Sequence, residues 1–142
     1  MPSPELENLV KVGKLKRDVC SPQEFEGLLA SGVARLTDAA NATLAPESRF
    51  DLAYNAAHAL ALAALRHRGF RSDNRYLVFQ ALAHTLRVPT PIWRVLATCH
   101  ERRNRVEYEG ALEVDERLLA DLIDAAQAVL AGVRALPPLE HR

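Results

Sequence analysis

The chain has 142 residues, 49% of them apolar and 25% charged, and its formal net charge is zero. That length suits a single domain able to bury a core without staples, and the charge balance excludes a global pull toward nucleic acid or an acidic membrane. Cys20 and Cys99 make neither a disulfide framework nor a metal-ligand spacing, no basic-then-apolar leader opens the chain, and no run approaches ~18 apolar residues. The expectation is a cytoplasmic protein with no membrane contact.

Residues 1–20 read as an N-terminal arm or a short helix, with Leu6, Leu9 and Val10 on one side and Lys11, Lys14, Lys16 and Arg17 elsewhere. A bundle domain is expected over residues 21–136. It starts at Ser21-Pro-Gln-Glu, a capping box in which Ser21 caps and Glu24 reaches back, with proline at the first helical position. The stripe Phe25, Leu28, Leu29, Val33, Leu36 follows and fades near Thr43. A second long helix opens at Pro46-Glu47 and ends at Gly69, and from Phe50 to Leu65 it is apolar almost all round, as befits the most buried helix of a bundle. Asp51, Asn55 and His58 interrupt it on one face. A shorter helix is expected over about Arg75–Leu86, broken by Val88-Pro-Thr-Pro. Thr90 then caps a helix carrying Ile92 through Arg105, and Asp115 caps a last one, from Leu118 to Val133. Pro137-Pro138 ends it, leaving residues 137–142 as a tail.

No strand-period segment, repeat or low-complexity run interrupts this pattern. The fold class is therefore all-α, an up-and-down helical bundle of about four long helices plus one or two short ones.

Arginines cluster at 66, 68, 71 and 75 and again at 94, 102, 103 and 105, which reads either as solvated surface or as a local phosphate-binding face. Arg103 stands out. At roughly 100° per residue it falls within about 20° of the centre of the stripe Ile92, Leu96, Cys99, Arg103, Val106. A guanidinium cannot shed its proton, and burying it alone costs several kcal/mol. Either Arg103 has a buried acidic or carbonyl partner, or it faces a cleft that binds an anion. Asp51, Asn55 and His58 form a polar seam that would receive it; His58 otherwise reads as a satisfied core histidine.

No glycine-rich phosphate loop, nucleophile elbow, paired-cysteine pattern or Glu-x-x-His pair is present, so no metal or cofactor is expected. The run Arg103-Asn-Arg-Val-Glu-Tyr108 nevertheless resembles the signature of the HEPN superfamily, an arginine often followed by asparagine and then a histidine after four to six residues. The alanine-rich helix from Arg49 to Leu65 is similar to that family's central helix, and the resemblance covers most of residues 21–135.

The resemblance implies a homodimer in which two motif copies face one another across a basic cleft, binding RNA or a nucleotide phosphate. In an active member it implies a metal-independent endoribonuclease, acting as the toxin of a toxin–antitoxin or defence pair beside a nucleotidyltransferase antitoxin. It assigns Arg103 to the scissile phosphate and Asn104 to orienting the site; Arg102, His100 and Arg105 read, from their neighbouring places on the same helix and not from the family, as supporting ligand contacts. The histidine position holds Tyr108, a phenol with a reference pKa near about 10 and thus a poor base at neutral pH, but one that can donate a hydrogen bond to the phosphate and so joins Arg103 and Asn104 as a candidate catalytic residue. His100, one turn before Arg103, is the nearest alternative imidazole. The sequence thus leaves two readings, an altered RNase or a non-catalytic dimeric binding and scaffold module.

Overall fold

The computed structural model describes residues 3–109 and 114–139, and for 106–109 the backbone alone. Four long helices dominate it: α2 (Pro22–Ala39), α3 (Pro46–His67), α6 (Thr90–Glu109) and α7 (Glu116–Arg134). Short helices α1 (Pro4–Lys11), α4 (Arg75–Gln80) and α5 (Leu82–Thr85) complete an all-α bundle.

Local chemistry sets the helix starts. The Ser21 hydroxyl accepts the Glu24 N–H at 3.1 Å, the Asn74 side chain accepts from Leu77, and Asp115 accepts from the Arg117 N–H at 2.9 Å. Proline occupies the first turn of α1, α2 and α3, where its missing N–H costs nothing. Gly69, at φ +87°, turns the chain out of α3 in the left-handed conformation that glycine adopts freely.

Helix α3 forms the centre, packing against α2, α4, α5, α6 and α7. Ala53, Ala56, Ala57, Ala61, Ala63 and Ala64 are all buried, and methyl-sized side chains let neighbouring backbones come close. The approach to α2 is closest at Gly32, where an added Cβ would sit 2.5 Å from the Leu60 Cγ. Leu96 and Cys99 of α6 and Leu122, Ala126 and Val129 of α7 close the other sides.

Three expectations need correction. The segment expected as one helix over Arg75–Leu86 breaks at Ala81 into α4 and α5, and Arg87 beyond it takes φ 54°. A two-residue antiparallel ladder exists where no strand was expected, pairing β1 (Lys16–Arg17) with β2 (Phe70–Arg71). Glu24 does not reach back to its own cap; its carboxylate takes Arg66 instead, at 3.1 and 3.0 Å.

Arg66 is 1% exposed, the largest fully buried side chain among the described residues. It donates to Glu24 through Nε and Nη2, and to the carbonyls of Asp18 (2.7 Å), Phe70 (3.1 Å) and Val19 (3.3 Å). A buried charge is tolerable only when saturated in this way. The clasp ties the N-terminal segment to the bundle, helped by Leu6 and Leu15, which are fully buried. At the other terminus the Pro137 carbonyl contacts His67 Nε2 at 2.7 Å, and Leu139 packs partly against the core.

Candidate functional site

Helical spacing on α3 gathers Asp51, Tyr54, Asn55 and His58 on one side, and on α6 it gathers His100, Arg103 and Asn104. The two helices pack, and α4 lies against both, so Arg75 joins them from the first position of α4.

Arg103 Nε lies 2.8 Å from the Asp51 carboxylate in an ion pair, with the side chains 33% and 48% exposed. Of the two readings of Arg103, an acidic partner is therefore present, yet the pair is open to solvent rather than sealed. A half-exposed pair of this kind contributes about 1 kcal/mol or less, a weak hold that an incoming oxyanion can outcompete. Among the described residues the guanidinium's two terminal nitrogens have no partner, and this edge of the fork matches a phosphate oxygen pair.

His100 is held through both ring nitrogens. Tyr54 Oη lies 2.9 Å from Nδ1, and Asn104 Nδ2 lies 3.2 Å from Nε2. With the amide nitrogen donating to Nε2, the single proton of the neutral ring sits on Nδ1 and is donated to the phenol oxygen. Arg75 donates to Asn55 Oδ1 at 3.1 Å and stacks over the Tyr54 ring at 5.5 Å. The Phe79 ring stands edge-on to Tyr54 and His58 and forms the apolar floor.

This floor and these cations set the protonation states. Burial, reinforced by Arg75, lowers the pKa of His100. Burial first, then Arg75 and His100, push His58 down to about 4. Burial raises the Tyr54 phenol despite the opposing pull of Arg75. At neutral pH both imidazoles are therefore neutral and the Tyr54 phenol is un-ionised.

Of the residues expected from sequence, Arg103, Asn104 and His100 come together. Arg102 is half-buried and Arg105 exposed on the same helix. The side chain of Tyr108 lies outside the described residues. The seam divides its work: Asp51 receives Arg103, Asn55 receives Arg75, and His58 packs against Phe79. Sequence reasoning missed Tyr54 and Arg75. Tyr54 was accessible in principle, since it shares the helical face of Asp51, Asn55 and His58; Arg75 carried no signal beyond its place in an arginine cluster.

Among the described residues no group of three histidine, cysteine or acidic side chains is placed to hold a metal ion, and no helix is long and apolar enough to cross a membrane. Comparison with family models, curated proteins and solved structures gives no match to this chain.

Proposed function

We propose that this chain is a HEPN-like domain that binds RNA or a nucleotide phosphate at the α3–α4–α6 cluster, as a homodimer whose two clusters line one cleft. The observation that carries the reading is the setting of Arg103. Its free guanidinium edge stands beside an imidazole, His100, oriented on both sides by Tyr54 and Asn104. Arg103 contacts the phosphate and stabilises charge developing on it, and Arg75 adds a second cation nearby. Arg102 and Arg105 extend the basic surface along α6.

RNase chemistry in this arrangement is altered rather than standard for the family. With Tyr108 at the histidine position, His100 is the available imidazole. It is neutral and thus in the base form, but its lowered pKa makes it a weaker base and Asn104 covers Nε2. The role as the toxin half of a pair with a nucleotidyltransferase antitoxin belongs to this reading. The ion pair from Arg103 to Asp51 favours the second reading, a non-catalytic dimeric scaffold that keeps the fold and the arginine without the chemistry.

Incubation of the purified protein with a mixed RNA pool separates the two. Cleavage by the native chain that disappears in Arg103→Ala and His100→Ala establishes the altered RNase. Binding without cleavage, lost in Arg103→Ala at unchanged helical content, establishes the scaffold, and cleavage gained in Tyr108→His shows what it lacks. Native protein that ignores RNA and nucleotides, with Arg103→Ala unfolded, refutes both.

A further inference from the structure

Helix α4 turns Leu77, Val78 and Phe79 into the core, where they are 7%, 0% and 0% exposed, and leaves Tyr76 outside at 39%. Among the described residues Tyr76 is the one aromatic among the exposed large apolar side chains. The others, Val12, Val19 and Leu44, are aliphatic and belong to none of α3, α4 and α6.

The cap of α4 sets where this ring stands. The Asn74 side chain accepts the Leu77 N–H at 3.0 Å and fixes the first turn. Consecutive residues there point about 100° apart, so Arg75 reaches α3 and donates to Asn55, while Tyr76 reaches α6. The Tyr76 ring centroid lies 6.3 Å from that of His100, with the planes inclined by 50°. Arg103 follows His100 on α6 after about 4.5 Å of helical rise. Phenol ring, imidazole and guanidinium are therefore consecutive neighbours.

An exposed ring contributes little to the core, and the stem of a lysine would cover the imidazole equally well. What a tyrosine adds is a flat π-face on which a nucleobase can stack. The cations of the cluster, Arg103 and Arg75, attract a phosphate, and the ring beside them takes the base joined to it. A duplex keeps its bases stacked inside and offers only its backbone. An unpaired strand can splay a base outward and so meet both groups.

We infer that the cluster takes single-stranded RNA with one base stacked on the Tyr76 ring and the adjoining phosphate at Arg103, an inference that rests on the phosphate-binding reading above. Every base has a π-face, so Tyr76 selects the form of the nucleic acid rather than its sequence.

Fluorescence anisotropy of the full chain tests this with three labelled probes. They are a short 2′-O-methyl RNA strand, which lacks the hydroxyl that cleavage needs, the same strand without bases, and the strand paired into a duplex. The native chain is expected to bind the single strand about tenfold or more tighter than its abasic counterpart. Tyr76→Ala brings the single strand down to the abasic level and leaves the affinities for the abasic strand and the duplex unchanged. Tyr76→Phe keeps the discrimination. Tyr76→Trp keeps it too, and over the constant emission of Trp93 its indole is quenched by the single strand and not by the abasic one. Equal binding of normal and abasic strands by the native chain, still lost in Arg103→Ala, overturns the inference and leaves the phosphate-binding reading standing. Binding of neither strand overturns both. A Tyr76→Ala chain that still discriminates, or that sediments as a smaller species than the native one, assigns the ring another role and overturns the inference as well.

Discussion

Acidification should destabilise this fold chiefly through His58. Its side chain is packed on Phe79 with Arg75 and His100 as the charged and titratable neighbours that act on it, and its pKa stands at about 4 against 6.5 for the unperturbed ring. Between those values the unfolded chain takes up a proton that the folded one refuses, so stability rises with pH through that window and is fully present above it. The full difference is about 3 kcal/mol at 1.36 kcal/mol per unit, of which roughly 2 kcal/mol falls between pH 7 and pH 5. His100 shifts in the same direction and adds to the effect. Urea denaturation of native protein and His58→Leu at both pH values measures it. The native chain is expected to lose about 2 kcal/mol or more on acidification, and the variant to lose less by about the His58 share. An identical pH dependence in the two proteins would refute the argument, whatever their absolute stabilities.

Other residues yield sharper structural tests. Gly32→Ala should cost a net of about 1–2 kcal/mol in urea denaturation, since its Cβ meets a Leu60 side chain that is 0% exposed, and Leu60→Ala in the same chain should cost less than additively. Glu24→Gln should cost about 2–3 kcal/mol in the same assay, because it leaves the buried Arg66 cation with carbonyls and the more distant Asp18 carboxylate at 3.7 Å. Cys99, buried and with its thiol pushed up to about 12 by burial, should resist alkylation at pH 8 until the protein unfolds, as followed by mass spectrometry in a urea series.

The parts of this structure written in short-range chemistry were readable in the chain. Ser21-Pro22, Pro46 and Asp115 each announce a helix start through a contact within a few residues, and the alanine density of α3 announces its central place. Arg103 was readable as an anomaly, because period 3.6 put a permanent charge on an apolar stripe; that Asp51 lay across from it followed from the seam on α3. What escaped depends on partners far apart in sequence. Glu24 had an adequate local role in its capping box, and nothing within ten residues pointed to Arg66. The pairing of Lys16–Arg17 with Phe70–Arg71 is too short to leave an alternating pattern. The break at Ala81 has no glycine or proline to mark it, and the tertiary packing of α4 and α5 onto α3 and α6 overrides a continuous helical pattern.

The Arg66 clasp has a consequence for how this molecule comes apart. One side chain, through donors pointing in several directions at once, fastens the stretch before α2 to the turn after α3, so that stretch has no gradual way to loosen. Residues 3–20 should detach as a unit or not at all, with their amide protons exchanging in step. Any event that frees Arg66 would also loosen the β1–β2 ladder beside it, so the front of the chain and the turn after α3 share one fate.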